Sequence, residues 1–174
     1  MITLTALTGD YTLDQARTRI GFLARHTIGP AVPGRFDRFA GSAHLDGDDP
    51  ARSSAELTIQ AAGIDTRNAQ RDGYLRGKYL NAAAHPAITF TSTGVRQAGQ
   101  TTFDLTGDLT IRGVTRPITV TLELTGADDT RVTLTGGATL NRKDWGVHWA
   151  AAAGLVATSV RLDLDLVATR RDPS

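Results

Sequence analysis

At 174 residues, with 19 Lys and Arg against 18 Asp and Glu and a formal net charge of +1, the chain has room for one well-buried domain spanning 1–174. It carries no excess charge with which to hold a polyanion, which excludes nucleic acid as a partner chosen by bulk charge. There is no cysteine, so disulfides, thiolate nucleophiles and cysteine-ligated zinc are removed together and the fold must rest on packing.

From the N-terminus, Met1 to Asp10 shows neither the basic opening nor the apolar run of a secretory signal, and the chain as given is expected in the cytoplasm. Alternation of apolar and polar residues, the mark of a strand with one dry face, then begins with Ile20, Phe22 and Ala24 against Arg19 and Arg25. Phe36 and Phe39 are three apart and break the period, which Gly41, Ala43 and Leu45 resume; this predicts a bulge near Asp37 and Arg38. After a turn at Asp46 to Pro50, Ala55, Leu57 and Ile59 alternate with Glu56, Thr58 and Gln60. Only Thr66 to Asn81 departs, with Leu75, Tyr79 and Leu80 at helical spacing, and this predicts one short helix near residues 67–80.

Alternation returns with Phe103, Leu105, Gly107, Leu109 and Ile111, then with Ile118, Val120, Leu122 and Leu124. A turn at Gly126 to Asp129 leads into Val132, Leu134, Ala138 and Leu140, and the series ends with Val160, Leu162, Leu164 and Leu166. The longest uncharged, mostly apolar stretch, Val147 to Ala157, falls far short of the roughly 20 residues of a membrane-spanning helix. Short turns between the runs make neighbours antiparallel. About eight strands, each with one dry face, must stack as two sheets or close, and closure removes exposed edges. The expected fold is all-β, a single antiparallel barrel of roughly eight strands.

Several strings in order resemble the YceI-like family of polyisoprenoid-binding proteins over nearly the whole chain. Tyr11-Thr12-Leu13-Asp14 with Ile20-Gly21-Phe22 and His26 is similar to its opening strand, and Gly34 to Gly41 to its G-x-F-x-x-F-x-G segment. Ile64 to Asn68, Arg71 to Leu75 and His85 to Ser92 resemble its I-x-T-x-N, R-D-x-x-L and P-x-I-x-F-x-S pieces. Gly107 to Thr115 and Asn141 to Gly146 resemble G-x-L-T-I-R-G-V-T and N-R-x-D-F-G, with Trp145 standing where phenylalanine is usual. The resemblance implies a lipocalin-like barrel whose tunnel holds one isoprenoid quinone, polyprenyl alcohol or fatty-acid-like molecule. Many relatives are periplasmic.

A solid core and a ligand tunnel would want the same aromatic residues, and the resemblance decides for the tunnel. It implies a lining of Ile20, Phe22, Ala24, Phe36, Leu75, Tyr79, Ile88, Phe90, Phe103, Leu105, Trp145 and Trp149. Ala150 to Ala153 would leave room for a chain or a mobile flap. His26, Arg71, Asp72, Asn141 and Arg142 are candidate headgroup contacts, although a structural role is favoured for each: pairing and capping around the helix for Arg71 and Asp72, the same kind of pairing at a strand end for Asn141 and Arg142, and satisfying neighbouring backbone for His26. The four histidines, His26, His44, His85 and His148, lack metal-site spacing, so no metal and no cofactor are expected beyond the bound lipid. No serine elbow or phosphate loop gives catalysis an anchor.

The function this points to is non-catalytic binding of a long hydrophobic amphiphile for transport, storage or sensing. Its rivals are an enzyme that isomerises or modifies a bound lipid, and a structural protein with a filled barrel. The expected partner is a hydrophobic small molecule, and the oligomeric state stays open between monomer and homodimer.

Overall fold

Every strand pairing in the computed structural model, which describes residues 3–26, 31–147 and 156–171, is antiparallel. The early strands are short: β1 (Gly9–Leu13), β2 (Arg19–His26), β3 (Val32–Phe36), β4 (Phe39–Leu45), β5 (Ser54–Gln60) and β6 (Ile64–Asp65). The later ones are long: β7 (Ala87–Gln97), β8 (Thr102–Ile111), β9 (Val114–Ala127), β10 (Arg131–Asn141) and β11 (Val156–Arg170).

The ladder runs β1-β4-β5-β7-β8-β9-β10-β11 and returns from β11 to β1, closing an eight-stranded barrel. Strand β11 is long enough to pair with two partners in line. Its end, Ala168 to Arg170, takes β1, while its earlier part up to Asp165 takes β2. Strands β2, β3 and β6 thus continue the courses of β1, β4 and β5, and three of the eight staves are broken in the middle.

The breaks keep the wall closed. The Thr18 hydroxyl donates to the Val167 carbonyl at 3.1 Å and accepts from the Val167 N–H at 3.0 Å, standing in for a ladder rung. At the expected irregularity the Asp37 N–H donates to Gly63 and the Gln60 N–H to Arg38, at 3.1 and 2.8 Å. The bulge at Asp37 and Arg38 is therefore a bend in which β3 ends and β4 begins.

The expected helix comprises α1 (Ala69–Tyr74), followed by a wider turn at Leu75–Tyr79. Asn68 caps it, its side-chain oxygen accepting from the Arg71 N–H at 3.0 Å. Between β8 and β9 only Arg112 and Gly113 turn the chain, both left-handed (φ 55° and 76°), as a tight hairpin twisted to match its strands requires.

Two buried clusters mark the ends of the barrel. One gathers Leu7, Tyr11, Leu124, Val132 and Ala168; the other gathers Ile64, Leu75, Tyr79, Leu80, Leu140 and Trp145 with neighbours from β2, β4, β5, β7 and β8. On β10, Val132 and Leu140 belong to opposite clusters and are separated by about 26 Å of extended strand.

Inside the wall, Phe22 lies directly across from Gly34, where a Cβ would come within 2.3 Å of the ring. Glycine is required there for the ring to lie flat against the neighbouring strand. Gly34→Ala is expected to destabilise by about 1 to 3 kcal/mol, and Phe22→Leu in the same chain to recover most of that loss. Denaturant midpoints across the double-mutant cycle check this; strictly additive effects would contradict the contact.

Candidate functional site

Between the two clusters the barrel holds a cavity of about 380 Å3. Packed interiors leave few voids larger than a water molecule, whereas ligand pockets occupy about 300 to 1,000 Å3. At about 30 Å3 for each water-sized group, the space takes roughly a dozen carbons of an apolar chain.

The inward faces of the strands build the wall. Ile20, Phe22 and Ala24 of β2, Phe36 of β3, Ile88 and Phe90 of β7, and Phe103 and Leu105 of β8 all border the cavity. Leu75 and Tyr79 reach it from the turn after α1, and Trp145 from the short turn Arg142–Trp145. Trp149, His148 and Ala150 to Ala153 lie outside the described residues. Ile118, Val120, Leu122, Leu134 and Leu164, dry-face positions outside the lining that the resemblance implies, complete the far side. Leu4 and Leu7 also border it, from a 3-10 turn too short to show a period.

Charge is sparse at the wall, where Asp46 and Glu56 are the anionic lining residues. Among the described residues that line the cavity, Arg142 alone is cationic, and one of its guanidinium nitrogens donates to the Val147 carbonyl at 2.7 Å. Burial pushes the Tyr79 phenol well above its ordinary pKa, and a hydrogen bond with Tyr74 pushes it further. The charge of Arg142 opposes these effects and does not overcome them. Tyr79 therefore presents a neutral phenol to the cavity at any physiological pH. Trp145 satisfies its ring N–H on the Leu109 carbonyl at 2.9 Å, so the indole is buried with no polar cost.

The remaining candidate headgroup contacts are not brought together at the cavity. Asp72, 7% exposed, accepts from both the backbone N–H and the hydroxyl of Thr66 at 2.8 and 2.5 Å. Arg71 donates to the same hydroxyl oxygen and to the Thr66 carbonyl, each at 2.8 Å. Together they latch α1 to the end of β6. Asn141 accepts from the Lys143 N–H at 3.1 Å and starts the short turn that carries Trp145. The backbone of His26 pairs with Val156, and its side chain lies outside what the structure describes. Among the described residues no three His, Asp or Glu side chains converge as a metal site. His44 instead meets Asp10 at 2.9 Å on the surface.

Comparison with known proteins follows the same outline. The model of the YceI-like domain matches residues 11–168. A UPF0312 protein of Azotobacter vinelandii is 34% identical over 151 residues, covering 82% of this chain and 79% of its own. Among solved structures, BcnA of Burkholderia cenocepacia superposes with a TM-score of 0.83 at 25% identity, over 89% of this chain and 98% of its own. A polyisoprenoid binding domain from Saccharophagus degradans, implicated in plant cell wall breakdown, superposes at 0.76 over 92% of this chain and 98% of its own; at 19% identity it speaks to the fold alone.

The Thr66 latch separates a structural role from a ligand-binding one. Asp72→Ala would leave a buried N–H and hydroxyl without their acceptor and is expected to cost about 2 to 4 kcal/mol in urea unfolding, with little effect on ligand affinity below the transition. Unchanged stability with weakened binding would instead make Asp72 a ligand contact.

Proposed function

The chain belongs to the YceI-like family, and from that premise we propose that its barrel binds one hydrophobic, chain-like amphiphile of the polyisoprenoid, isoprenoid-quinone or fatty-acid kind without converting it. The observation that carries this reading is the cavity of about 380 Å3 lined by apolar strand faces. A structural protein with a filled barrel would leave no such space.

Magnitudes agree. About a dozen enclosed carbons at roughly 0.8 kcal/mol each give on the order of 10 kcal/mol before the costs of ordering, enough for micromolar affinity once several kcal/mol are lost to immobilisation. A polyprenyl chain longer than the cavity would keep its remainder and its headgroup outside the enclosed part.

Binding without conversion is supported by how the polar groups are used. The Asp72 carboxylate and the Arg71 guanidinium are both bonded to Thr66, and the Tyr79 phenol is held in its neutral form. A chain taken up and released intact suits transport, storage or sensing.

Ala24 is 8% exposed and borders the cavity, so Ala24→Phe would place a ring where the ligand lies. Overpacking a filled core costs about 1 to 3 kcal/mol, whereas an open cavity absorbs the ring. Titration of delipidated protein with a fluorescent fatty acid is expected to show binding by the wild type, loss of at least ten-fold in affinity for the variant, and an unfolding midpoint that hardly moves. A sharply destabilised variant beside a wild type that binds nothing would favour the filled barrel.

A further inference from the structure

We propose that Leu4 and Leu7 form a floor to the barrel that sets the length of apolar chain the cavity accepts; this rests on the binding reading above. The 3-10 turn Leu4–Leu7 lies at the end of the barrel where β1 closes against β11 through Tyr11 and Arg170. Leu7 is buried against Tyr11, Leu124, Val132 and Ala168, and both leucines border the cavity.

So short a turn does not persist alone; it has to be held. What holds it is a set of contacts to its backbone and to Thr8. The Tyr11 hydroxyl donates to the Leu7 carbonyl at 2.9 Å. Arg170, with its guanidinium 5.3 Å from the centre of the Tyr11 ring, donates to the carbonyls of Thr8 and Ala6 at 2.9 and 2.7 Å. The Gly47 N–H donates to the Thr8 hydroxyl at 2.9 Å, and a Cβ on Gly47 would stand 1.8 Å from the Leu4 carbonyl oxygen, so the loop after β4 lies directly on the turn. None of these contacts uses the leucine side chains, which are left to close the lumen.

Neither the turn nor Arg170 falls within the residues that the family model matches, 11–168. The residues that seat the turn, Tyr11, Gly47, Leu124, Val132 and Ala168, lie inside that range. A fixed floor has a definite physical consequence. Each methylene that enters the cavity tightens binding about four-fold, from roughly 0.8 kcal/mol, until the chain meets the floor, after which further carbons add nothing. The plot of affinity against chain length must break, and the position of the break reports where the floor stands.

The test uses the full, delipidated chain and a series of saturated fatty acids from about 8 to about 22 carbons, each displacing a bound fluorescent probe. For the wild type, affinity should rise about four-fold per carbon and then level off. In the double variant Leu4→Ala with Leu7→Ala, which removes about three carbons at each position, the break should move to longer chains by about two to four carbons, partial collapse of the space taking the rest. Leu4→Phe raises the floor and should move the break to shorter chains; it decides the matter alone if the double variant does not fold. A wild type that breaks at one length, beside folded variants that break at the same length, would overturn the floor and leave the binding reading standing. A wild type that binds chains with no break would also overturn the floor. If the wild type binds no chain of any length, the binding reading fails and takes the floor with it.

Discussion

Eight staves meeting edge to edge fix the circumference of the barrel, and that circumference governs what the inside can be. Closure depends on β11, whose 15 residues pair along one edge with β10 and along the other with β2 and then β1. Once the edges meet, every second side chain must point into a space whose width the strand number has already set. At about eight strands that width is just enough for side chains to fill it or for one small ligand to be held. Here bulky residues fill the two ends, and the middle is left as a cavity with apolar walls.

The same constraint explains why the polar residues of the family strings are mostly busy holding the wall. The I-x-T-x-N and R-D-x-x-L pieces are one hydrogen-bonded unit centred on Thr66, which ties the helix to the end of β6. The N-R-x-D-W-G piece is a capped turn that delivers Trp145 to the cavity, and Arg112 of the T-I-R-G-V-T hairpin donates to the Gly146 carbonyl at 3.0 Å, joining the two strings. Even the first glycine of G-x-F-x-x-F-x-G makes room for Phe22 across the sheet. Arg142 is the exception: its string places it at the wall, where its charge is felt by Tyr79.

Much of this was legible in the sequence because a strand exposes its two faces with a period of two. Phe103, Leu105, Leu109 and Ile111 were grouped by alternation alone, and all four border the cavity. The spacing of Phe36 and Phe39 revealed the bend between β3 and β4. The breaks at Thr18 and at Ala61–Gly63 are not legible, since the Thr18 hydroxyl that replaces the missing rung has its partner in Val167, 149 residues away. Nor could spacing decide whether Arg71 and Asp72 hold a headgroup or a threonine, because both roles ask for the same residue types. The turn at Leu4–Leu7 is not legible because four residues cannot show a period, and its importance comes from where β1 and β11 place it.

On the binding reading, the space inside the closed barrel is there to be occupied. A native mass spectrum of the protein as purified from cells, taken before and after extraction with organic solvent, addresses it directly. One apolar amphiphile per chain is expected, released by the solvent and regained when the same molecule is added back. A chain that carries no adduct as isolated and takes up no polyprenol, quinone or fatty acid when offered them would contradict it.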